Sequence, residues 1–123
     1  MKTNELALGD YVTLYGSTQM VDGLLPEQVR FRSMDKWVTL ENVNPIPLTK
    51  EILLMNGFTC GITTFDCGVD GYLEISYTGD KDGLPIVHRT FGAHSEFRLL
   101  KIEYVHQLQQ LLRLYKTNKE IKL

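Results

Sequence analysis

The chain has 123 residues, 43% of them hydrophobic and 23% charged, with a formal net charge of −2. This composition suits one folded domain, or two very small subdomains sharing a core, and argues against collagenous, low-complexity or disordered organisation. The missing basic surplus disfavours a protein that grips phosphate backbones through charge alone, and no window approaches the ~20 apolar residues of a spanning helix. The opening MKTNELALGD has no apolar core of the signal-peptide kind, so a cytoplasmic location is expected.

Residues 1–47 carry the pattern of short strands. In residues 11–15, Val12 and Leu14 alternate with Tyr11, Thr13 and Tyr15. Gly16-Ser17 marks a turn, and residues 19–25 form a second strand that ends at Pro26. Residues 28–32 place Val29 and Phe31 inward against Arg30 and Arg32 outward; residues 36–40 place Val38 and Leu40 inward and Trp37 outward. Strands this short, joined by turns this tight, predict a small SH3-like β-barrel or a curled meander over 1–47. Asn44-Pro45-Ile46-Pro47 then reads as a stiff extended connector, because each proline fixes its own φ and biases its predecessor away from helix.

Thr49 is a good N-cap for a short helix over residues 50–55, which Asn56-Gly57 would close. Strands are predicted over residues 58–66, 72–78, 84–91 and 97–102, with a loop at 67–71 and an Asp-Gly turn at 79–83. A helix over about residues 103–116 follows, then a short terminal strand over 120–123. Strands that come in runs predict an α+β class, with an antiparallel meander covered by the C-terminal helix. The chain is read as a single unit over 1–123, with subregions 1–47 and 48–123.

The search for chemistry returns little. At about 100° per residue, Tyr104, Val105, Leu108, Leu111, Leu112 and Tyr115 share one helical stripe, while His106, Gln109, Gln110 and Arg113 face the other way. That polar side reads as solvated, and His106 as a base or ligand lacks an acidic or cysteine neighbour at the next helical turn; Glu103 is better explained as favourable charge in the first turn. Cys60 and Cys67 are separated by six residues with no second pair, and nothing in the spacing recruits His88 or His94, so no zinc site is expected; a nucleophilic cysteine with a histidine is a remote alternative. Asp80-Lys81-Asp82-Gly83 begins like a calcium loop, but Leu84-Pro85 and Phe91 stand where oxygen ligands are required. Gly-rich phosphate loops and nucleophile elbows are absent, so no metal, no cofactor and no catalytic residue is assigned.

One surface stands out. If the apolar residues of 1–47 point inward, then Tyr11, Tyr15, Arg30, Arg32 and Trp37 point outward, and arginines interleaved with aromatics can grip a peptide or stack bases. The simpler expectation is that this face is covered by the rest of the chain and Trp37 is buried, since large aromatics are seldom left exposed together.

Three segments also carry a resemblance. They are Asn4-Glu5-Leu6 with Gly9-Asp10-Tyr11-Val12, Pro45-Ile46-Pro47-Leu48-Thr49 with Glu51-Ile52-Leu53 and Asn56-Gly57-Phe58, and Tyr104-Val105-His106-Gln107-Leu108-Gln109 with Asn118-Lys119-Glu120-Ile121. In these the chain resembles a family of short proteins from prophages, phages and other mobile elements of gut Bacteroidetes, whose activity is unassigned. The resemblance implies a small accessory protein in a bacterial cytoplasm, and it raises His106 as an interaction residue. The expected function is therefore a non-enzymatic protein-binding module, with nucleic-acid binding through the Tyr11, Tyr15, Arg30, Arg32, Trp37 face as the alternative and a Cys/His enzyme as a distant third. No membrane partner is expected.

Overall fold

A computed structural model describes residues 1–58, 61–66, 72–77, 84–91, 96–115 and 117–123. Cys60, Cys67 and His94, the loop at 67–71 and the turn at 79–83 lie outside the described residues. The class is α+β, and the chain divides into two compact units: Met1–Pro47 with Tyr104–His106, and Leu48–Glu103 with Gln107–Leu123.

The first unit holds a five-stranded antiparallel sheet in the order β4-β3-β2-β1-β5, built from β1 (Tyr11–Leu14), β2 (Ser17–Leu25), β3 (Gln28–Phe31), β4 (Trp37–Thr39) and β5 (Val43–Pro45). The sheet is open, with β4 and β5 at its edges, so the expected barrel closure is not present and the meander is the better description. Strand β5 occupies part of the segment expected to be a mere connector. Its prolines do keep it extended, and Asn44 pairs with Thr13 across from β1; an edge strand is where a sheet tolerates proline.

Alternation produces the inner face. Val12, Val21, Val29 and Phe31 are essentially fully buried and cluster with Leu6, Leu14 and Val43, while Leu24, Met34, Val38 and Leu40 pack against them. Each such side chain contributes about 1.5–3 kcal/mol on full burial. Between β1 and β2 the chain turns on Tyr15 and Gly16, both at positive φ (50° and 79°), as a two-residue hairpin with native twist demands. Tyr15 is not glycine, and a left-handed residue with a Cβ costs about 1–2 kcal/mol. Asn42 offsets part of this: its carbonyl accepts from the Tyr15 N–H at 3.3 Å, and its Nδ2 donates to the Tyr15 hydroxyl at 3.1 Å.

The second unit begins with α1 (Lys50–Met55), and the local signals act as expected. Thr49 Oγ1 accepts from the Ile52 N–H at 3.2 Å. At the other end Gly57 takes φ 86°, Phe58 N–H donates to Leu53 C=O at 3.0 Å and Gly57 N–H to Leu54 C=O at 3.2 Å, a Schellman closure. The expected meander follows as an antiparallel sheet β6-β7-β8-β9, from β6 (Gly61–Asp66), β7 (Tyr72–Tyr77), β8 (Leu84–Phe91) and β9 (Glu96–Ile102). Leu73 and Ile75 lie buried on one face of β7.

The expected strand at 120–123 is absent. Asn56 replaces it: its Oδ1 accepts from the Lys122 N–H at 2.7 Å and its Nδ2 donates to the Lys122 C=O at 2.8 Å. A side-chain amide thus supplies both bonds that a neighbouring strand would have supplied, and Ile121 is buried beside it in sequence. Helix α2 (Val105–Leu114) buries Val105, Leu108, Leu111 and Leu112 as the stripe predicted, and exposes Leu114. Its polar side is wet only in part: Arg113 is exposed and Gln110 half-buried, whereas Gln109 and His106 are buried.

Candidate functional site

The outer face of the first unit's sheet is assembled from two cross-strand rows. In one, Gly23 on β2, Arg30 on β3 and Trp37 on β4 are register partners. A bulge between Val21 and Gly23 makes Asp22 the extra residue of β2 and returns Leu24 to the core side. The indole lies across Gly23, where an added Cβ would stand 2.8 Å from Trp37 Cη2. Only a residue without a side chain lets the ring approach the sheet this closely. Arg30 then covers the indole, its Cζ 5.3 Å from the ring centroid, and its Nε donates to Asp22 Oδ1 at 2.9 Å. At such exposure the cation–π contact is worth about 0.5–1 kcal/mol and the ion pair about as little, so their role is to fix orientation more than to stabilise.

The second row is Tyr11 on β1, Met20 on β2 and Arg32 just beyond β3. Tyr11 pairs with Met20, the Arg32 N–H donates to the Met20 carbonyl at 2.9 Å, and Arg32 Nη1 lies 3.9 Å from the Met20 sulfur. The structure therefore brings Tyr11, Arg30, Arg32 and Trp37 onto one face. Trp37, expected to be buried, is 36% exposed, and Tyr15 is 78% exposed, whereas Tyr11 and Arg30 are half-buried. Tyr15 itself leaves the strand in its left-handed turn and pairs with Asn42 instead of joining the rows. Sequence reasoning passed over Asp22, Gly23 and Met20. A glycine inside a strand was the available signal, since it marks a bulge or a close approach.

An open cleft lies elsewhere in the same unit, with Lys2, Thr3, Pro26, Glu27, Leu40 and Asn44 among its walls. Thr3 Oγ1 donates to the Pro26 carbonyl at 2.8 Å, fastening the N-terminal segment to the β2–β3 turn. Its charged residues are of both signs.

His106, expected on a solvated helix side, is only 4% exposed. The start of α2 is held in the first unit by the Val105 N–H donating to Ile46 C=O at 2.9 Å and by the Pro47–Tyr104 bridge. The imidazole stacks on Tyr104, centroids 5.8 Å apart and planes 11° apart, and its Nδ1 is sealed from solvent with no hydrogen-bond partner among the described residues. Burial pushes its pKa below the ordinary 6.5, against the opposing pull of the Asp10 and Glu5 carboxylates. Asp10 is fully buried and its Oδ2 accepts from the Ala7 N–H at 2.8 Å. Nδ1 enclosed in this way cannot meet a substrate arriving from solvent.

Among the described residues no group of three His, Cys, Asp or Glu side chains is placed to hold a metal ion, and no helix is long and apolar enough to cross a membrane. The chain matches no known protein family, curated protein or solved structure.

Proposed function

We propose that the protein is a non-enzymatic protein-binding module, an accessory of a phage or mobile element working in the bacterial cytoplasm, and that it grips its partner through the Tyr11, Arg30, Arg32, Trp37 face of an SH3-like, open sheet. The observation that carries this reading is the partly exposed indole of Trp37, seated against Gly23 with Arg30 over its ring. An aromatic platform whose rotamer is already fixed loses little entropy on binding, and Trp, Tyr and Arg are the residues that dominate protein interfaces. The charge arrangement favours a protein over a nucleic acid: Asp22 neutralises Arg30, and the overall charge is −2. A phosphate backbone would meet a carboxylate beside the one stacking platform.

Trp37 is the sole tryptophan, so its emission reports on this face alone. Wild-type protein immobilised in a host lysate should retain a partner that Trp37→Ala and Arg30→Ala variants lose, and the purified partner should shift the Trp37 emission at stoichiometric ratios. Quenching by single-stranded oligonucleotides that weakens as salt rises, with no partner dependent on Trp37, would replace this reading with nucleic-acid binding.

A further inference from the structure

We infer that the partner of the Trp37 face is an extended acidic peptide, held by a carboxylate on Arg32 while an apolar residue two positions away meets the indole. This rests on the reading of the face as a protein-binding surface and adds the chemistry of what it binds. Two arginines of the face stand in different states. Arg30 is engaged within the protein: its Nε donates to Asp22 Oδ1 at 2.9 Å, and its guanidinium lies over the Trp37 ring. Arg32 is exposed and forms no ion pair among the described residues, and its Nη1 rests 3.9 Å from the Met20 sulfur. A thioether is a weak acceptor, so this guanidinium keeps most of its donors for a ligand.

The same contrast sets the charge of the ligand. Within the two cross-strand rows Asp22 neutralises Arg30, so Arg32 is the positive charge left over. One guanidinium matches one carboxylate, through two parallel N–H···O bonds. A phosphate dianion asks for more than a single cation, and a nucleic-acid backbone would bring further negative charge beside the Asp22 carboxylate. The half-buried Met20 gives Arg32 an apolar wall on the side of Tyr11, its register partner, which shields an ion pair from water on that side.

Spacing supplies the shape. The indole reaches from β4 to Gly23 on β2, so it crosses β3 at the level of Arg30, its register partner. Arg32 lies two residues further along the same chain, a step of about 6.6–7 Å in extended backbone. An extended ligand lying along β3 repeats that step between alternate side chains. Its apolar residue then falls on the indole and the acidic residue two positions away falls on Arg32. Arg30, already held by Asp22, orients the ring and leaves the new ion pair to its neighbour.

The test uses an array of tryptophan-free peptides, each carrying an apolar residue with Glu two positions to either side, beside the same peptides with Gln or phosphoserine in place of Glu. Purified wild-type protein should bind Glu members, and their Gln counterparts roughly tenfold more weakly, read by titration of the Trp37 emission. The preference should shrink as salt rises. Arg32→Gln should bind Glu and Gln members alike, and Arg32→Lys should keep part of the preference. The inference is overturned if no Glu member binds, if Glu and Gln members bind equally, or if Arg32→Gln keeps the preference. Tighter binding of phosphoserine members or of single-stranded oligonucleotides overturns it as well. Capture from host lysate separates this failure from failure of the face itself. A partner lost by Trp37→Ala and kept by Arg32→Gln removes the carboxylate anchor alone, whereas a partner kept by both variants removes the face.

Discussion

Two buried polar side chains, Asn56 in the second unit and His106 in the first, stand in similar burial and in opposite states of satisfaction. Asn56 is 6% exposed, and its amide makes three hydrogen bonds: one to the Ile52 carbonyl, two to the backbone of Lys122. His106 is 4% exposed, and its Nδ1 makes none among the described residues. A buried polar group with every bond made acts as a fixed joint, because breaking any bond strands its partners. A buried polar group left unpaired and able to ionise is conditional, because its cost depends on pH. The comparison separates a structural amide from a responsive imidazole.

The largest expected effect breaks the first member of that pair. Asn56→Ala leaves the Lys122 N–H and C=O without partners and should cost about 2–3 kcal/mol in denaturant unfolding. Asn56→Asp keeps the acceptor for Lys122 N–H and should fall between the two. Next comes a steric contrast on the exposed face. Gly23→Ala places a methyl group 2.8 Å from Trp37 Cη2, so the indole must lift; the expected loss is about 1–2 kcal/mol, with a red shift of Trp emission.

His106 sharpens the comparison from the other side. His106→Leu removes an unpaired polar atom in favour of an apolar group, and should change stability at neutral pH by less than about 1 kcal/mol. The wild type differs by its pH dependence. Its folded pKa lies below the unfolded value of 6.5, so the unfolded chain binds the proton more readily. The stability due to neutral His106 is complete above 6.5 and declines as pH falls through 6.5 toward the folded pKa; urea midpoints across that range should slope in the wild type and flatten in His106→Leu. The smallest effect is at the β1–β2 turn. Tyr15→Asn relieves the left-handed strain at φ 50° but gives up the hydroxyl bond to Asn42, for a net gain of about 0.5 kcal/mol read as a small rise in Tm.

Much of the strand pattern was legible because alternation is local and one face of each strand is buried. Val12 with Leu14 and Val29 with Phe31 could be assigned to the core from spacing alone, as could the Thr49 cap and the Asn56-Gly57 closure. Strand β5 was harder, since Pro45 within it and Pro47 beyond it hide the pairing of Asn44 with Thr13. The candidate face was legible in its outward residues but not in its exposure, nor in the bulge that sets Asp22 beside Arg30. His106 was misplaced because a helical wheel assumes one environment along the whole helix, whereas the first turn of α2 meets Glu5 and Asp10 from about a hundred positions earlier in the chain.

The sequence by itself determined what depends on neighbours a few residues apart: alternating strands, a capped helix, a Schellman stop, an apolar stripe on α2. Only the tertiary structure decided which polar groups are buried and whether they are paired. Lys122 finds Asn56 across 66 positions, and Trp37 settles on Gly23 through two strand registers. Periodicity carries no information about such partners, because hydrogen bonding and ring stacking are fixed by distance in space rather than along the chain.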